Sequence, residues 1–152
     1  MTPADNYLAS SRVVDADGIP MSARLAEVRR PRAIVVALHG GAVTSAYFDS
    51  PGRPRHSLLR TGAALGFTVM ALDRPGHGSS ASHADKMASA GRRVDLAYAA
   101  VDRLLAQRPR GAGLFLAAHS LGCVLAVRMA ADERGAGLLG LEIGRASCRE
   151  RV

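Results

Sequence analysis

The amino-acid sequence predicts an α/β fold built on a mostly parallel, doubly wound sheet. Three short apolar runs carry that expectation: "RAIVVALHGG" at 32–41, "FTVMALD" at 67–73 and "GLFLAAH" at 113–119. Each has the length and continuity of a strand buried on both faces. Helical segments alternate with these runs, and that alternation requires right-handed crossovers between parallel neighbours.

The elements follow in order. Residues 6–14 and 19–29 read as two strands around "DADG", where Asp17-Gly18 supplies the positive-φ pair of a tight hairpin. The same cluster lacks the further ligands and the closing glutamate of a calcium loop, which leaves a turn. After His39-Gly40-Gly41 a loop containing Pro51, Gly52 and Pro54 leads to a helix from about 56 to 65, closed by Gly66. The second run passes into the glycine-rich "RPGHGSS". Val94, Ala97, Tyr98, Val101, Leu104 and Leu105 recur at steps of three and four, which predicts an amphipathic helix over about 90–108, stopped by Pro109. The third run is followed by a helix over 121–134 with Gly135 as its cap. In such sheets ligands bind at the carboxyl ends of the strands, and the loops after His39, Asp73 and His119 all fall there.

A chain of 152 residues is long enough for one domain with a real core. Its composition, 48% apolar and 22% charged, is that of a folded protein and excludes a disordered one. No apolar run approaches the roughly 20 residues that span a bilayer. The start "MTPADNYLASS" has neither the basic end nor the apolar core of a signal peptide, so a cytoplasmic protein without membrane contact is expected. Cys123 and Cys148 are too few for a disulfide framework and lack metal-ligand spacing. The net charge of +7 raises nucleic acid as a partner, but the arginines are scattered and aromatics make up only 4%. Of the 20 basic residues only Lys86 is a lysine, and alanine and glycine abound, so the charge reports the bias of a GC-rich genome.

Ser120 is the candidate nucleophile. It stands in Ala118-His119-Ser120-Leu121-Gly122, between a strand and a helix, where a sharp turn lifts the hydroxyl above the sheet and the helix N-terminus favours developing negative charge. A serine before a helix is also a good N-cap, and both roles stay open on the sequence. Glycines after the first buried strand allow backbone N–H groups to face that hydroxyl as half of an oxyanion hole, the N–H of Leu121 being the other half; a plain Gly-Gly turn is the alternative.

Taken together and in this order, "LHGG", "DRPGHGSS" and "AHSLG" resemble the α/β-hydrolase fold superfamily, in particular its esterase, lipase and C–C-hydrolase-like members, over about residues 30–135. The resemblance implies Ser120 as nucleophile, the amides of Gly41 and Leu121 as oxyanion hole, and His39 with Gly40 as support of the oxyanion loop. Ala118 stands where the commonest elbow has glycine. It further implies a small ester-like substrate, an acyl-serine intermediate and no cofactor or metal.

A hydroxyl needs a histidine to remove its proton and a carboxylate to orient that histidine. Family order is serine, acid, histidine. After Ser120 the sequence has Asp132, Glu133, Glu142 and Glu150 but no histidine. "IGRASCRERV" has neither helical nor strand periodicity and back-translates as ATC GGA AGA GCG TCG TGT AGG GAA AGA GTG, which resembles a common short-read sequencing adapter. Residues 1–141 are therefore expected to be a partial hydrolase domain and 142–152 a non-native tail, the chain alone being inactive. The competing reading is a non-catalytic binding protein on the same scaffold; a basic nucleic-acid binder is a third, marked by salt-dependent binding.

Overall fold

The hairpin at Asp17-Gly18 opens a six-stranded sheet in the computed structural model, which describes residues 3–144. Asp17 and Gly18 have φ of 53° and 81°, and Ala16 pairs directly with Ile19 across them. The strands are β1 (Ser10–Ala16), β2 (Ile19–Ala26), β3 (Ile34–Leu38), β4 (Thr68–Leu72), β5 (Leu114–His119) and β6 (Leu138–Gly144), in the spatial order β1-β2-β4-β3-β5-β6. β1 and β2 are antiparallel, as are β2 and β4, whereas β4, β3, β5 and β6 run parallel. The helices are α1 (Leu58–Ala64), α2 (Ala90–Leu104) and α3 (Gly122–Ala131).

Alternation along the strands divides the core between the two faces. Ile34, Val36 and Leu38 of β3, Met70 and Leu72 of β4, and Leu116 and Ala118 of β5 pack with α2 and α3. Ala37, Val69 and Ala71 pack on the opposite face with Leu59 and Ala63 of α1 and with Phe48. The doubly wound arrangement thus follows from the continuous apolar runs: β3 and β4 have a partner layer on both sides.

Four expectations are corrected. The first strand begins at Ser10, because Pro3–Asn6 form a 3₁₀ turn. β5 is only half-buried rather than covered on both faces: α1 lies over β4, and Phe115 on that face remains 37% exposed. α2 ends at Leu104, short of Pro109, and the chain turns back at Gln107 with φ 62°. α3 ends at Ala131 with Asp132 as its C-cap, while Gly135 lies inside a 3₁₀ turn, donating its N–H to the Asp132 carbonyl. The run Gly78–Met87, unassigned in the sequence, forms consecutive 3₁₀ turns. β6 runs through Glu142, Ile143 and Gly144, opposite Ala117, Ala118 and His119, so the boundary expected at 142 falls inside this strand. The remainder of the expected tail, with Cys148 and Glu150, lies outside the described residues. No helix among the described residues is long and apolar enough to cross a membrane.

Candidate active site

The carboxyl ends of β3, β4 and β5 bring His39, Asp73 and Ser120 to one rim of the sheet, where the sequence places them. Ser120 has φ 53°, the left-handed region that a non-glycine residue enters at a cost. The chain turns there within one residue, from the end of β5 to the start of α3 at Gly122. Such a turn demands that α3 start almost on top of β3, and Gly122 permits it: a Cβ there would collide with the Leu38 carbonyl oxygen and lie 2.7 Å from that of His39. The N-cap is Leu121, with no side-chain cap bond, so the Ser120 hydroxyl does not serve as the cap. Its backbone carbonyl instead accepts from the Cys123 N–H at 2.9 Å.

The loop after β3 lies against this elbow. A Cβ on Gly40 would stand 3.1 Å from the Ser120 Cβ, and one on Gly41 2.8 Å from Leu121 Cδ1. A side chain at Gly40 would press on the Ser120 and His119 side chains, and one at Gly41 would push the Leu121 side chain aside. His39 is wholly buried beneath the loop. Its Nε2 accepts from the Arg74 N–H at 3.0 Å, which puts the ring proton on Nδ1, and Nδ1 donates to the Gly40 carbonyl at 2.8 Å. Both ring nitrogens are occupied in tying the β3 loop to the β4 loop. Burial is the main cause that lowers its pKa from 6.5, the nearby Arg74 and His77 adding to it and the Gly40 hydrogen bond opposing it.

Asp73, also buried, closes the other side of this frame. One carboxylate oxygen accepts from the Ser45 N–H at 2.6 Å and the other from the Ser22 hydroxyl at 2.6 Å, joining β2, the β3 loop and β4. Arg74 Nη2 donates to the Gly40 carbonyl at 3.0 Å. Tyr47 stacks on His119 with ring centroids 5.0 Å apart. Neither Arg74 nor Tyr47 was picked out by the sequence. Their parts depend on loops meeting across 34 and 72 residues of chain, respectively, and no local pattern encodes such a meeting.

No histidine among the described residues hydrogen-bonds the Ser120 hydroxyl. His77 packs edge-on against His39 at 5.0 Å, His119 faces Tyr47, His56 ends a 3₁₀ turn, and His83 Nδ1 lies 3.2 Å from the Ser82 hydroxyl. Of the later acids, Asp132 is engaged by Arg134, which holds its pKa down at about 2 through side-chain and backbone hydrogen bonds. Among the described residues no cluster of His, Cys, Asp and Glu could hold a metal ion. The lone described cysteine, Cys123, is buried under the elbow with Sγ 3.4 Å from the Gly144 carbonyl, and burial raises its pKa.

A mostly parallel sheet with the serine elbow after its fifth strand and helices on both faces defines an α/β-hydrolase fold. The chain belongs to the family described as serine aminopeptidase, S33, whose match covers residues 29–141. Solved structures agree on the fold. A predicted CIB-like hydrolase from Thermoplasma acidophilum matches with a TM-score of 0.70 at 16% identity, over 91% of this chain and 63% of that one. An epoxide hydrolase from Vigna radiata matches with a TM-score of 0.68 at 20% identity, over 89% of this chain and 39% of that one. A thermostable carboxyl esterase from Bacillus coagulans matches with a TM-score of 0.62 at 23% identity, over 90% of this chain and 43% of that one. This chain therefore spans less than two thirds of the length of each. Comparison with curated proteins finds none that matches.

Proposed function

We propose that Ser120 is the nucleophile of a serine hydrolase that acts on an ester or related carbonyl substrate. The observation that carries this reading is the left-handed backbone of Ser120, held between a tightly packed Gly40 and Gly122, whose Cβ would collide with backbone. Strain kept in a residue that neither caps the helix nor packs in the core is characteristic of a group displayed for chemistry. In the reaction, Ser120 Oγ attacks the substrate carbonyl and surrenders its proton to a base. The amides of Gly41 and Leu121 stabilise the oxyanion, and the alcohol departs with that proton. Water then releases the acid from the acyl-serine. His39 and Gly40 support the oxyanion loop rather than exchange protons, since both nitrogens of His39 are already bonded.

Among the described residues no histidine hydrogen-bonds the Ser120 hydroxyl as a base, and this chain alone is expected to be inactive. The epoxide hydrolase likeness does not displace the acyl-serine reading, because it is a likeness of fold at 20% identity. The deciding experiment is long-read sequencing of the source DNA across codons 130–160, followed by fluorophosphonate labelling of the product. An open frame diverging near codon 142 that supplies an acid and then a histidine, with labelling abolished by Ser120→Ala, is the expected result. A genomic stop after Val152, with no labelling, overturns it and leaves the binding-protein reading.

A further inference from the structure

A cavity of about 340 Å³ opens beside the elbow, walled by Arg74 and His77 of the β4 loop, Arg93 of α2, and Leu121, Val124 and Arg128 of α3. Its size is that of a small-ligand site. Three arginines and no carboxylate line it, and none of the three forms an ion pair among the described residues. Arg93 is close enough to Arg74 that its charge, after burial, helps to lower the Arg74 pKa. Like charges gathered without a counter-ion raise the energy of the empty cavity, and an anion lowers it.

The hydrogen bonding specifies the same complement. Arg74 Nε and His77 Nδ1 are buried and unpartnered. Arg74 Nη2 lies 3.4 Å from His77 Nε2; a guanidinium can only donate, so Nε2 accepts and Nδ1 carries the proton. Both orphaned groups are therefore donors. A buried donor without an acceptor is costly, and an anionic oxygen in the cavity would become its acceptor once the Arg74 and His77 side chains turn toward it. Ala84, Ala88, Ala90 and Leu125 give the wall an apolar part that suits a short hydrocarbon segment. Leu121, next to Ser120, is part of the wall.

We infer that this cavity holds the free carboxylate of the substrate, so that the protein acts on carboxylate-bearing esters such as monoesters of short dicarboxylic acids. The inference rests on the reading of Ser120 as nucleophile for its catalytic meaning, but the binding itself does not require that hydroxyl. Arg74 also connects the two sites, because the guanidinium that faces the anion donates to the Gly40 carbonyl of the oxyanion loop.

The test is calorimetric titration of the chain with glutarate, with glutaramide and with inorganic phosphate, for the native protein and for Ser120→Ala, Arg93→Gln and Arg128→Gln. Arg93 and Arg128 are exposed, and thermal unfolding of each variant confirms that it is folded. Saturable binding of glutarate is expected, with none of glutaramide, at least about tenfold weakening in each arginine variant, and further weakening in 1 M salt, where the Debye length is ~3 Å. Binding in Ser120→Ala is expected to match the native protein. A preference for phosphate, equal binding of glutaramide, or arginine variants that bind as the native protein does would overturn the inference. Retained glutarate binding by the chain, with no labelling of Ser120 in the product of the full open frame, would sink the catalytic reading alone.

Discussion

Replacing Ser120 with glycine should stabilise the fold while removing the proposed nucleophile. Ser120 sits at φ 53°, and the left-handed region costs an L-residue roughly 1–2 kcal/mol. Glycine removes that cost but takes back about 0.5–1 kcal/mol through its freer unfolded chain. The hydroxyl has no hydrogen-bond partner among the described residues to lose. The net gain is about 0.5–1 kcal/mol, or roughly 1–4 °C in Tm for a domain of this size. Ser120→Ala keeps the strain and should stay within about 0.5 kcal/mol of the native protein. Gln107→Gly, at φ 62° and away from the elbow, is the control for the backbone term and should show a similar gain. Urea unfolding followed by far-ultraviolet circular dichroism reads all three. If Ser120→Gly is less stable than Ser120→Ala, the left-handed turn is not strained and the reasoning from strain to display fails.

Gly122→Ala should destabilise by about 1–3 kcal/mol, since its Cβ meets the carbonyls of Leu38 and His39, whereas Gly91→Ala in α2, with open space around it, should stabilise by up to about 1 kcal/mol; paired urea titrations check the opposite signs. Asp73→Ala leaves the Ser45 N–H and the Ser22 hydroxyl without their acceptor and should cost about 2–3 kcal/mol, read by thermal unfolding. Stability should fall in two stages as the pH drops. His39 is held neutral below its ordinary 6.5, so below that value the unfolded chain takes up a proton the folded one refuses, and stability declines. Burial would raise the pKa of Asp49, but hydrogen bonds from Arg60 and Ser57 outweigh it and lower the pKa below 3.8. Its contribution is complete above that value and lost as the pH falls through the folded pKa. Denaturant midpoints from pH 8 to 2 check both stages: Asp49→Asn should reduce the lower, which Asp132 shares, and His39→Gln should abolish the upper.

The sequence by itself determined the layers and the rim. Continuous apolar runs at 34–38 and 68–72 need cover on both faces, and Asp17-Gly18 needs a two-residue turn, whatever else the chain does. The order of strand, polar loop and helix then places His39, Asp73 and Ser120 at carboxyl ends without knowledge of any contact. Where elements end was less legible: Asp132 rather than Gly135 closes α3, because capping depends on which carbonyls remain free in the final geometry. Burial of β5 was misjudged for a related reason, since apolarity shows that a strand can be covered, while only packing decides which helix covers it.

The site divides in the same way. Ser120, His39, Gly40 and Gly41 could be named because small residues and a serine at a strand-to-helix junction are local signals. Only the tertiary structure decided the tautomer of His39, the bridge from Arg74 to the Gly40 carbonyl, and the gathering of Arg74, Arg93 and Arg128 around one cavity. Scattered arginines in a sequence report composition. Their charge acquires direction when a β-loop and two helices, distant in the chain, bring them within the range where Coulomb forces act.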